Sequence, residues 1–147
     1  MNVHPRTTTE LANLLRDHGI TATLQRVEIA RTLLSRRQHV SAEQVMHKVN
    51  KGRAIVSKAT VYNTLRLFAE KGMIKEVIVD PAKVFYEPKT TDHHHYFNVD
   101  TGELIDFEAD LPALREIADI PIGMELVGVD VTVRVRSSAA AFNAGAA

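Results

Sequence analysis

Three features of this 147-residue sequence predict an α+β fold in two lobes, a winged helix-turn-helix followed by a smaller α/β lobe. Apolar residues recur at helical spacing from Leu11 to Phe68, then at the two-residue period of strands from Ile74 onward. Helices followed by a hairpin make the first lobe, and a second strand-rich stretch beyond Pro88 makes the other. The charge divides at the same place. Residues 1–90 hold 15 Lys/Arg against 8 Asp/Glu, a balance of +7, and residues 91–147 hold 3 against 10, a balance of −7. The net charge of zero therefore hides a basic half suited to a polyanion and an acidic half that is not.

The elements follow in order. Thr8 to His18 carries Leu11, Leu14 and Leu15 on one face, and Gly19 stops it. A second helix is predicted from Thr23, its N-cap, to Arg36, with Ile29, Leu33 and Leu34 inward. Ser41-Ala42-Glu43-Gln44 is a capping box that starts a third helix through Val45, Met46 and Val49, ending near Asn50–Gly52. The fourth opens at Ser57 and ends at Gly72; Val61, Leu65 and Phe68 form its apolar stripe, and Lys58, Thr60, Tyr62, Asn63 and Arg66 lie off it. Ile74–Val79, a turn at Asp80-Pro81 and Lys83–Glu87 read as the wing. Tyr96–Val99 and Glu103–Phe107 flank a turn at Asp100-Thr101-Gly102, and Pro112–Ala118 has the length of a short helix. Val127–Arg136 alternates strictly, with Val127, Val129, Val131, Val133 and Val135 on one face, and predicts a half-buried strand of the kind that pairs with its own copy. The small-residue tail is predicted to be disordered. The domains expected are thus 1–88, 89–136 and the tail 137–147.

Composition narrows the chemistry. At 45% hydrophobic and 24% charged residues the chain has an ordinary globular make-up. It has no run of about 18 apolar residues to span a membrane, and its N-terminus lacks the apolar core of a secretory signal, so a cytoplasmic address fits. With no cysteine, disulfides, thiol catalysis and thiolate zinc sites are excluded. No serine in a strained elbow and no glycine-rich phosphate loop appears, so an enzyme is not expected.

Two groups of residues remain. A recognition helix needs an apolar back and short polar or basic residues in front, and the fourth helix supplies them. Thr60 and Tyr62 suit thymine methyls or phosphates, Asn63 a base edge or phosphate, and Arg66 a phosphate or guanine. The second group is Asp92-His93-His94-His95. The run leads into a strand, so His93 and His95 share a face and make half a metal site. Glu87, Asp106 and His39 are candidates to complete it. Three nitrogens and two oxygens suit Fe(II), Mn(II), Zn(II) or Co(II), and His93, His94 and His95 could also offer an imidazole to haem iron. His4, His18 and His47 have no identifiable partner.

These motifs, in order, resemble the ferric uptake regulator (Fur) family of bacterial metal-responsive repressors. The resemblance spans about residues 8–136. It rests on Gly19-Ile20-Thr21-Ala22-Thr23-Leu24-Gln25-Arg26, His39-Val40-Ser41-Ala42-Glu43, Ala59-Thr60-Val61-Tyr62-Asn63-Thr64-Leu65, and His93-His94-His95 followed by Gly102-x-Leu104-Ile105-Asp106-Phe107. It implies a winged-helix DNA-binding domain, an α/β dimerisation domain, and a homodimer on an AT-rich inverted repeat of double-stranded DNA. It places a divalent metal (Fe, Mn or Zn) on His39, Glu87, His93, His95 and Asp106 and gives Arg26 a backbone contact to DNA. It also departs from the pattern. The first of two Cys-x-x-Cys pairs falls on Asn98 and Thr101 and the second is missing, so no Cys-based structural zinc can form. For the family's second, peripheral metal site, Asp92 and His94 lack a His partner on the C-terminal strand. The missing cysteines, the triple His and Ile117-Ala118-Asp119-Ile120-Pro121-Ile122-Gly123 are most similar to the iron response regulator (Irr) branch, which implies a haem-sensing repressor of iron and haem homeostasis genes. The alternatives are an Mn/Fe-dependent or peroxide-sensing repressor of the same family and, in another class, a metal- or haem-buffering protein.

Overall fold

The computed structural model describes residues 6–88, 93–108, 116 and 119–139. It divides into two compact units, Met1–Thr90 and Thr91–Ala147. Among the described residues no helix is long and apolar enough to cross a membrane.

The first unit contains α1 (Thr8–Asp17), α2 (Leu24–Leu33), α3 (Ala42–Val49) and α4 (Lys58–Glu70), followed by the hairpin of β1 (Lys75–Asp80) and β2 (Lys83–Glu87). Each helix begins on a hydroxyl. Thr7, Thr23, Ser41 and Ser57 accept the backbone N–H of Glu10, Arg26, Gln44 and Thr60, which satisfies one orphan donor of each first turn. The boxes at Thr7 and Ser41 are reciprocal, with Glu10 and Gln44 reaching back to the cap N–H. Gly19 and Gly72, at φ +73° and +74°, turn the chain out of α1 and α4 through the left-handed region, where a Cβ would be strained. Leu11, Leu15, Ile29, Leu33, Val45, Val61, Leu65 and Phe68 fill the core between the helices.

Helix α2 is shorter than the sequence predicts, ending at Leu33 rather than Arg36. Its last carbonyls are taken by side chains. Ser35 Oγ donates to Thr32 O at 2.9 Å, and Gln38 Nε2 donates to Thr32 O at 3.0 Å and Leu33 O at 2.9 Å. With those acceptors satisfied, a further helical turn gains little.

The turn between α3 and α4 is closed by Asn50. Its Oδ1 accepts the N–H groups of Ile55 and Val56, both at 2.9 Å, and its Nδ2 donates to Val56 O at 2.9 Å. Gln25 on α2 adds a bond from Nε2 to Ile55 O at 3.1 Å. In the wing, Lys75 faces Glu87 and Glu76 faces Tyr86. Asp80 Oδ1 accepts Ala82 N–H at 2.8 Å across the tip.

The second unit is a three-stranded sheet in the order β4-β3-β5, built from β3 (His94–Asn98), β4 (Leu104–Phe107) and β5 (Thr132–Val135). β3 and β4 are antiparallel and β5 runs parallel to β3. In the β3–β4 turn, Asn98 Oδ1 accepts the N–H groups of Asp100 at 2.9 Å and Thr101 at 3.2 Å. The end of β5 is tied to the same turn: Ser137 N–H donates to Asp100 Oδ2 at 3.0 Å, and Asn98 Nδ2 donates to Ser137 Oγ at 3.4 Å.

Two expectations change here. The strand read over Val127–Arg136 pairs as a strand only over Thr132–Val135, opposite His95–Asn98 of β3. Its valine face is half-buried only in part: Val129, Val131 and Val135 are partly buried, while Val127 is 96% and Val133 38% exposed. The helix read over Pro112–Ala118 lies outside the described residues except for Glu116, as does the tail from residue 140.

Candidate metal-ligand clusters and nucleic-acid face

In the first unit, His39 and Glu87 meet. His39 immediately precedes Val40, whose N–H donates to Tyr86 O at 3.0 Å while Tyr86 N–H donates to Val40 O at 2.7 Å. This bridge pins the entry of α3 to the second wing strand. It brings His39 Nε2 to 2.7 Å from Glu87 Oε2. The Glu87 residue is 1% exposed, and a buried carboxylate needs a donor or a cation beside it.

In the second unit, the β3–β4 register sets His95 directly opposite Asp106. His93, two residues before His95, falls on the same face, with ring centroids 4.5 Å apart. Asp106 Oδ1 lies 3.2 Å from His95 Nε2 and 3.4 Å from His93 Nε2. The donor atoms of the three side chains lie within 4.8 Å of one another, and both imidazoles are buried. Two imidazole nitrogens converging on a carboxylate oxygen is a donor set for a borderline divalent cation. The metal-ligand residues expected from sequence thus occur as one pair and one triad.

His94 behaves differently. It points to the other face, packs on Phe107 with ring centroids 5.4 Å apart, and accepts Val131 N–H on Nδ1 at 3.1 Å. It holds the chain entering β5. Asp92, its expected companion, lies outside the described residues.

On α4, Val61, Leu65 and Phe68 are buried and Lys58, Tyr62, Asn63 and Arg66 are exposed, as the periodicity predicts. Lys58 Nζ sits 5.8 Å over the Tyr62 ring. Thr60 is partly committed elsewhere, since its Oγ1 accepts from Ser57 Oγ at 2.9 Å. Arg26, Thr60 and Asn63 line one cleft of about 290 Å³ between the starts of α2 and α4, with Thr23 and Gln25. Arg26 is held there by donating to Thr21 O at 3.0 Å. Beneath α4, burial pushes the Tyr86 phenol up from its usual pKa; Glu76 and Tyr62 add to the rise and Arg66 opposes it.

Sequence reasoning passed over Asn50, His94 as a strand clamp, and Tyr86. Asn50 at a helix end before Gly52 was a readable capping signal; for the other two only the fold supplies the partner.

A winged helix with an outward basic face, carried on the same chain as His/carboxylate clusters, defines a metal-linked DNA-binding protein. The chain belongs to the ferric uptake regulator family, whose model matches residues 17–134. Members of this family are DNA-binding transcription regulators and not enzymes, and they act as dimers. The chain is 31% identical over 118 residues to the peroxide-responsive repressor PerR of Staphylococcus aureus (strain Mu50), covering 80% of this chain and 77% of the relative. The manganese-containing structure of the ferric uptake regulator from Pseudomonas aeruginosa is similar at 33% identity and a TM-score of 0.65, covering 85% of this chain and 96% of that one. The regulator from Francisella tularensis, solved with iron, is similar at 25% identity and a TM-score of 0.69, covering 81% and 92%. The α+β assignment, with its winged-helix DNA-binding domain and its dimerisation domain, stands.

Proposed function

We propose that this protein is a cytoplasmic, homodimeric transcriptional repressor whose DNA affinity is set by one divalent cation held by His39, Glu87, His93, His95 and Asp106. The carrying observation is the chemistry of the two clusters. The pair of one unit and the triad of the other offer three imidazoles and two carboxylates, with Glu87, His93 and His95 buried, and each cluster loses electrostatic penalty when a cation occupies it. Glu87 and His93 are six residues apart in the chain, so pair and triad are within reach of a single ion. Similar regulators were solved with manganese, with iron and with zinc, which supports a divalent cation of the Fe(II), Mn(II) or Zn(II) kind. The bound cation would supply a fixed positive charge that neutralises the carboxylates and orders the residues around them.

DNA is read in this proposal by Lys58, Thr60, Tyr62, Asn63 and Arg66, with Arg26 on the backbone. Two copies of α4 address an AT-rich inverted repeat whose half-sites lie about 34 Å apart. The exposed apolar run through Ile122, Met124 and Val127 is the surface assigned to the second copy.

The sequence favours a second reading, a haem-responsive regulator of the iron response branch, through its lack of cysteine and its run of three histidines. All three residues are buried and His94 is engaged by Val131, so this reading requires that β3 open. The test is DNA-binding anisotropy on an AT-rich inverted repeat, titrated with Mn(II) and separately with haem. Mn(II)-dependent affinity that disappears in His93→Ala supports the cation reading. Release by haem with no response to Mn(II) replaces it with the haem reading. Ligand binding without salt-sensitive DNA affinity makes the protein a buffer. Arg66→Ala is expected to lower the slope of log affinity against log salt by about 0.9 if it neutralises one phosphate.

A further inference from the structure

The His39–Glu87 pair sits one residue along from a backbone clip. Val40 and Tyr86 exchange both main-chain hydrogen bonds, at 3.0 and 2.7 Å, and the 2.7 Å side-chain contact of His39 with Glu87 continues that ladder by one position. On the α3 side, the next residue is Ser41, the N-cap of the helix. On the wing side, the next residue inward is Tyr86. The residue is 7% exposed and belongs to the same packed core as Val61, Leu65 and Phe68 of α4, and it faces Glu76 across the hairpin. Its phenol interacts electrostatically with Glu76, Arg66 and Tyr62. Tyr62 and Arg66 are exposed side chains on the outer face of α4.

We propose that Tyr86 is a positioning residue that carries the state of the His39–Glu87 pair to the DNA-reading face of α4. The inference deepens the cation reading above and rests on it. A cation accepted by both side chains replaces their direct contact, and each side chain is one bond sequence away from the Val40–Tyr86 clip. Displacement of Glu87 therefore moves Tyr86 within a close-packed core, where small shifts are transmitted rather than absorbed. Tyr86 shares its buried cluster with Val61, Leu65 and Phe68, the inner face of the helix whose outer face carries Tyr62 and Arg66. The path lies wholly within the first unit.

The experiment measures three things on the full chain for wild type, Tyr86→Phe and Glu76→Gln. These are the Mn(II) dissociation constant, the ratio of DNA affinities with and without Mn(II), and the hydrogen exchange of the Val40–Tyr86 segment. Wild type is expected to show a ratio of about 5- to 150-fold, with exchange of the Val40 and Tyr86 amides altered by Mn(II). Tyr86→Phe should keep the Mn(II) dissociation constant within about threefold while its ratio falls toward one, as expected for a lost coupling and not a lost site. Glu76→Gln, which changes the phenol's neighbour without entering the core, should lower the ratio in the same direction. A ratio unchanged in both variants overturns the proposal, and so does loss of Mn(II) affinity in step with the ratio. A wild-type ratio of one removes the cation reading together with this inference; the wild-type arm alone distinguishes that case.

Discussion

Replacing Asn50 with alanine tests how the recognition helix is set. The substitution deletes the two bonds accepted from Ile55 and Val56 and the one donated to Val56 O, each 2.9 Å long. A net value of about 0.5–1.5 kcal/mol per bond gives a range of about 1.5–4.5 kcal/mol. Exposure narrows it. Val56 is 5% exposed, so its N–H and C=O lose partners that water does not readily replace, whereas half-buried Ile55 recovers some hydration. The expected loss is about 2–3 kcal/mol. Gln25→Ala removes one exposed 3.1 Å bond in the same turn and should lose under about 1 kcal/mol. Asn50→Asp should not rescue, because it sets a carboxylate oxygen against the Val56 carbonyl where an amide donor stood. Urea unfolding followed by circular dichroism gives the ordering by linear extrapolation. DNA affinity should fall as well, since Ser57, the cap of α4, directly follows the clamped residues. An Asn50→Ala variant within about 0.5 kcal/mol of wild type, or one less damaged than Gln25→Ala, would refute the clamp.

Three other outcomes follow from the geometry. His94→Phe should keep the packing on Phe107 and the Mn(II) affinity, yet speed hydrogen exchange at Val131, whose N–H loses its acceptor; a loss of Mn(II) affinity matching His95→Ala would make His94 a ligand instead. Val127→Asp places a charge on a side chain that is 96% exposed in one copy, so it should leave stability of the chain near wild type and shift sedimentation toward the monomer; an undisturbed dimer puts the interface elsewhere. The raised pKa of Tyr86 favours the neutral phenol in the fold, so its share of stability is complete below the ordinary value of 10.0 and is lost as pH rises beyond it. Tyr86→Phe should therefore flatten the alkaline limb of the stability curve, and an identical limb in the variant contradicts the burial of the phenol.

The sequence made the local physics legible and left the long-range pairings unread. The inside and outside of α4 follow from a 3.6-residue period that any helix must obey, and the caps at Thr23 and Ser41 are stated by residue type. His95 opposite Asp106 was foreseeable because a short turn at Asp100-Thr101-Gly102 fixes the register of the hairpin. His39 beside Glu87 is another matter. It depends on the isolated Val40–Tyr86 bridge, which joins distant segments and leaves no periodic trace. The end of α2 was overrun because Gln38, beyond the helix, supplies its last acceptors with donors. The Val127–Arg136 alternation was real, but a strand needs a ladder partner as well as a pattern, and pairing with β3 covers only Thr132–Val135.

The turn built on Asn98, Asp100 and Ser137 changes what kind of signal this molecule can tolerate. Where the resemblance places thiolates around a structural ion, this chain closes the corner of its sheet with amide, carboxylate and hydroxyl groups. None of these is a ready target for oxidants, and none leaves when a chelator is added. In the proposed reading, scaffold and sensor therefore draw on separate chemistries: the ion would be held by imidazole and carboxylate groups, and the corner of the sheet by hydrogen bonds that need no ion. A chelator is therefore expected to empty such a site and leave this corner closed, so that the chain can be loaded again.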